Sequence, residues 1–95
     1  MGEDGNAPSD ITEQTILAYN NIRTVLAEFG ANIGNIVDET FYVTDVQEVM
    51  TNVETIFAAR ESAYGKQPEV SQTLIGVTAL VDPRLKIEIK CVAHL

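Results

Sequence analysis

Cationic residues are scarce in this chain. Six Lys and Arg stand against fourteen Asp and Glu over 95 residues, for a formal charge of -8. Phosphate backbones are gripped by clustered Lys and Arg, and here only Arg84, Lys86 and Lys90 lie close together, which argues against a nucleic-acid surface. Tryptophan is absent and cysteine occurs once, at Cys91. A single cysteine excludes a disulfide within the chain and leaves a zinc cluster without support, which suits a reducing, cytoplasmic setting. No apolar run approaches the roughly 20 residues that a membrane span needs. The start, Met1-Gly2-Glu3-Asp4-Gly5, lacks the basic and apolar regions of a signal peptide. Asn6 stands where a myristoylation motif needs Ser or Thr.

What is present points to one domain over residues 1–95, with 45% hydrophobic and 21% charged residues. A chain this short buries a modest core, so oligomerisation would help it. The first residues, to Pro8 or Ser9, read as a flexible lead-in. Asp10 with Glu13, or Ser9 with Thr12, can cap a helix whose apolar stripe is Tyr19, Ile22, Leu26 and Phe29. Gly30 stops it. Ala31 to Asn35 form a loop, and Ile36 to Thr44 a strand whose apolar residues do not alternate cleanly, so both faces are expected to be partly buried. Thr44-x-x-Gln47 fits a capping box for a second helix running to about Ser62, with the break at Tyr64 to Pro68.

Thr73 to Leu80 read as a strand and Val81 to Arg84 as a turn. Leu85 to Ala93 form a strand of strict alternation. Leu85, Ile87, Ile89, Cys91 and Ala93 face one way, and Lys86, Glu88 and Lys90 the other. The order is α-β-α-β-β, a mixed sheet with two helices on one side.

The segments Phe41-Tyr42-Val43-Thr44-Asp45 and Lys86-Ile87-Glu88-Ile89-Lys90-Cys91-Val92-Ala93, with the gapless spacing from Gly30 to Asp45, resemble the RidA/YjgF (Rid) superfamily of enamine/imine deaminases. The resemblance covers about residues 10–95. It implies an α+β, chorismate-mutase-like fold: a mixed β-sheet with two helices packed on one face, three strands coming from this chain, or four if the lead-in orders. It also implies a cytoplasmic homotrimer with small-molecule clefts between subunits, the polar face of Lys86, Glu88 and Lys90 turned toward an interface, and no cofactor or metal. Family members carry a strand hairpin before the first helix, with a tyrosine and a Ser-Gly lining the cleft. This sequence is expected to start after that hairpin.

The family reaction hydrolyses an enamine or imine to ammonia and a 2-keto acid. The resemblance places the water-positioning carboxylate at Glu88. The substrate-binding arginine falls at Gln72, which carries no charge. A guanidinium binds a carboxylate through a planar fork, and an amide does not replace it. The family's helix asparagine falls at Asn52, Val53 or Glu54, of which Asn52 alone matches it chemically. Arg60 or Arg84 could bring a guanidinium from another direction, and Tyr64 could line a cleft. Cys91 reads as a buried, inert thiol and His94 as a solvated terminal side chain. Two readings follow: a small enamine/imine deaminase, or a non-catalytic Rid-like ligand-binding or assembly module. A ribonuclease, a label long attached to the family, fits the acidic charge least well.

Overall fold

The computed structural model describes residues 9–95, and the lead-in to Pro8 lies outside them. Helix α1 spans Ile11–Glu28. Asp10 is its N-cap, accepting a hydrogen bond from the Thr12 backbone N–H at 2.8 Å. The helix ends in a Schellman arrangement. The Ala31 N–H reaches Leu26 O at 2.9 Å and the Gly30 N–H reaches Ala27 O at 3.1 Å. That geometry needs the left-handed backbone Gly30 adopts, at φ +70°. A 3-10 turn at Ile33–Asn35, closed by reciprocal bonds between Asn32 and Asn35, leads into strand β1, Ile36–Val43.

The second helical region is two helices. They are α2, Val46–Thr51, and α3, Val53–Tyr64, which ends two residues beyond the expected stop with Gly65 left-handed at φ +75°. The N-cap of α2 is Asp45, one residue later than the expected Thr44. Its carboxylate accepts the Glu48 N–H at 3.2 Å. The break falls at Asn52, whose backbone leaves helical values at φ -111°, ψ 19°.

Strand β2 is Ser71–Gly76 and β3 is Ile87–Ala93. Among the described residues they form one sheet in the order β2-β1-β3, with β2 parallel and β3 antiparallel to β1. β2 was expected to run to Leu80. It stops at Gly76 because Gly76 pairs with Val43, the last residue of β1, and beyond it there is no strand to bond. β3 was expected from Leu85. It begins two residues later: the Arg84 C=O and the Lys86 N–H of the approach are bonded to the Gln14 side chain of α1, and only the Lys86 C=O reaches the chain after β1, accepting from the Thr44 N–H.

The irregular pattern of β1 has a definite cause. Ile36 pairs with Ala93 and Asp38 with Val92, so Val37 is the extra residue of a β-bulge. The bulge shifts the phase of the strand. Ile36, Glu39, Phe41 and Val43 are all buried, although the first two are three residues apart. Against them pack Ile11, Tyr19, Val49, Ile56 and Ala63 from the helices and Ile87 from β3. Tyr19 meets the Phe41 ring edge-on at 6.5 Å and the Tyr64 ring at 5.9 Å.

Candidate functional site

An acidic residue sits in the middle of this core. Glu39 is fully buried at the centre of β1, facing the helices. An isolated buried carboxylate is prohibitively costly, so it must be paired and hydrogen-bonded. Four side chains do this. Arg60, from α3, forms an ion pair with it through Nε. Tyr19, from α1, donates its hydroxyl to the carboxylate at 3.0 Å, and Tyr64, from the end of α3, donates at 2.9 Å. Gln72 Nε2, from β2, donates at 3.2 Å. Arg60 also donates to Val70 O at 3.2 Å and lies over the Phe57 and Tyr64 rings.

The cluster is closed electrostatically as well as sterically. Burial first, then the Glu39 charge and hydrogen bond, push the Tyr19 hydroxyl well above the ordinary tyrosine range. The same causes raise Tyr64. Both tyrosines therefore serve Glu39 as neutral donors throughout the physiological range.

The residues singled out from the sequence do not converge. Gln72 pairs directly with Glu39 in the parallel register and shares its helix-facing side. Glu88 pairs with Tyr42 and lies on the opposite, outer side, where it is exposed. Asn52 stands at the break between α2 and α3, its Nδ2 donating to Glu48 O at 2.9 Å. Arg60 is committed to Glu39, and Arg84 pairs with Asp82 in the turn at 2.8 Å. Asp82 is thereby held down to about 2.

Glu39 and Tyr19 escaped the sequence reading as polar partners. Tyr19 looked like one member of an apolar stripe. The signal for Glu39 was its phase, two and four residues before Phe41 and Val43, and the bulge at Val37 obscured it.

A second feature lies on the other edge of the molecule. An open groove of about 370 Å³ runs between α1 and β3. Leu17, Ile22 and Val25 form one wall, and Ile87, Ile89 and Cys91 the other. Burial raises the Cys91 thiol, with the Glu39 and Asp38 charges adding to it, up to about 12. Among the described residues no group of His, Cys, Asp and Glu is arranged to hold a metal ion, and no helix is long and apolar enough to cross a membrane.

The sequence pattern described as Endoribonuclease L-PSP matches residues 2–95. The chain belongs to this family. The Escherichia coli (strain K12) RutC family protein YjgH is 29% identical over 93 residues, which cover 98% of this chain and 67% of YjgH. Among solved structures, the Rid-family protein YyfB from Yersinia pestis superposes with a TM-score of 0.85 at 29% identity, over 99% of this chain and 71% of YyfB. Rv2704 from Mycobacterium tuberculosis, of the YjgF/YER057c/UK114 family, gives 0.80 at 29% identity, over 95% and 72%. The L-PSP chain therefore has the fold expected from its sequence, and spans about two thirds of the length of YjgH.

Proposed function

We propose that this chain is a small-ligand-binding and assembly module of the L-PSP/Rid family, in which the family's carboxylate-gripping chemistry is not retained. One observation carries the reading: the Gln72 amide is bound to the buried Glu39 carboxylate. A substrate carboxylate brought to Gln72 would meet a fixed negative charge whose cation, Arg60, is already engaged. Ligands of such a module are neutral or apolar small molecules, taken up in clefts between copies. Three copies packed through their outer sheet faces would give those clefts. Val37, Ile75 and Val92 are exposed at 51%, 39% and 48%, and an amphipathic sheet gains a second layer by such packing. The charge of -8 speaks against RNA as the ligand.

The deaminase reading keeps one specific support. Glu88 is exposed on the outer face, where a carboxylate can position water. An assay of ammonia and 2-keto acid release from a 2-aminoacrylate-type imine separates the two. The module reading expects the buffer rate from the native chain and from Gln72→Arg alike. Release well above the buffer rate by the native chain would establish the deaminase. Activity gained only in Gln72→Arg would mean that the cleft is intact and lacks a cation alone.

A further inference from the structure

Glu39 receives its donors in an even arrangement. Arg60 Nε and Gln72 Nε2 donate to Oε1, and the Tyr19 and Tyr64 hydroxyls to Oε2. An ionised carboxylate offers about four lone-pair sites, so this one is saturated. All four donors are side chains from other elements, none of them a neighbour of Glu39 in sequence. Three of them have anchors besides Glu39. Arg60 Nη2 donates to Val70 O at 3.2 Å, and its guanidinium lies 5.9 Å from the centre of the Phe57 ring and 5.7 Å from that of Tyr64. Tyr19 packs edge-on against Phe41 and Tyr64. The donors are thus held by the fold around the carboxylate, and not by the carboxylate alone.

We propose that Arg60, Tyr19, Tyr64 and Gln72 form a binding site for a small carboxylate, that Glu39 occupies it from within, and that Glu39 thereby determines which ligands the fold takes. While Glu39 fills the site, anionic ligands are refused there. In its bearing on ligands this rests on the module reading above. Vacating the site leaves the receptor open. Glu39→Ala removes Cγ, Cδ and both oxygens, which are the four heavy atoms of acetate. Arg60 is then desolvated and unpaired, and that favours uptake of an anion. The Arg60 side chain is 11% exposed and Gln72 and Tyr64 are half-buried, so the site lies close to the surface.

Sodium acetate should be titrated into the native chain, Glu39→Ala, Glu39→Gln and Gln72→Arg, read by thermal unfolding and calorimetry, with sodium chloride and acetamide as controls. Glu39→Ala should bind acetate with a dissociation constant of about 10 mM or less, raising its folding constant about tenfold at about 100 mM acetate. If Glu39→Ala is unfolded in buffer, acetate should restore its circular dichroism. Propionate, one carbon larger, should bind less well. Acetamide, which carries no charge, should have no effect. Glu39→Gln lacks the charge but fills the space, so it should not respond, and neither should the native chain. Gln72→Arg keeps Glu39, which captures the new guanidinium, and it too should bind no acetate. Acetate that neither binds nor folds Glu39→Ala overturns the proposal, as does equal stabilisation by acetamide or sodium chloride. Acetate binding by Gln72→Arg in the same range overturns it as well, since Glu39 would then not decide. Deaminase activity in the native chain would end the module reading and leave the site itself standing, because Glu88 lies on the opposite side of the sheet.

Discussion

Gln72 lies opposite Glu39 across the parallel strands β1 and β2, and its amide donates to the buried carboxylate at 3.2 Å. The residue expected from the family resemblance to meet a substrate carboxylate is bound instead to the protein's own interior. Around that pair α1, α3 and β2 are tied to the central strand through one acceptor. Consequences for stability follow directly.

Replacing Glu39 by Gln removes the charge that balances Arg60. Breaking a buried ion pair from one side costs about 3 kcal/mol or more, because the surviving charge stays desolvated. Urea unfolding of Glu39→Gln should show that loss. Replacing the pair together by Glu39→Gln/Arg60→Met should cost less than Glu39→Gln alone.

The tyrosine hydroxyls contribute separately. Each donates to a charged acceptor, so Tyr19→Phe and Tyr64→Phe should each cost on the order of 1.5–3 kcal/mol. Tyr19 is 1% exposed and should lie toward the upper end. A double-mutant cycle should show coupling between the two, since both serve the same oxygen, Oε2.

Cys91 should react slowly. Its thiol is pushed from 9.0 up to about 12, so at pH 8 the folded protein holds on the order of a thousandfold less thiolate than the unfolded chain. Iodoacetamide labelling at pH 8, native against urea-unfolded, checks this. The raised value also sets a sign. The neutral thiol's contribution to stability is full below about 9 and is lost as pH rises toward 12.

At Gly65 an alanine side chain would meet no atom within 4 Å, so Gly65→Ala isolates the cost of the backbone at φ +75°. A loss of about 1–2 kcal/mol by thermal or urea unfolding is expected.

The elements that could be read from the sequence are those whose signals are local. Tyr19, Ile22 and Leu26 gave the stripe of α1, Gly30 its stop and Tyr64 to Pro68 the next break, and the alternation from Leu85 to Ala93 the last strand, two residues longer than it is. The break at Asn52 was invisible, because its cause is a backbone rotation at a residue that helices tolerate. The buried cluster was hidden for a different reason. Glu39 alternates in phase with Phe41 and Val43, but Ile36 counts out of phase with them, and only the bulge at Val37 brings Ile36 to the same side, so a pattern counted from Ile36 puts Glu39 outside. Likewise, that Gln72 and Glu88 lie on opposite sides of the sheet follows from the registers of two strands with β1, and spacing alone does not contain them.

Gln14 couples the two ends of the fold. Its amide donates to Arg84 O at 2.9 Å, and its side-chain oxygen accepts the Lys86 N–H at 2.7 Å, seventy and seventy-two residues along the chain. The two bonds close a loop of about seventy residues through one side chain, so what looks like a local surface amide on α1 is a long-range tie whose loss would loosen the helix and the approach to β3 together.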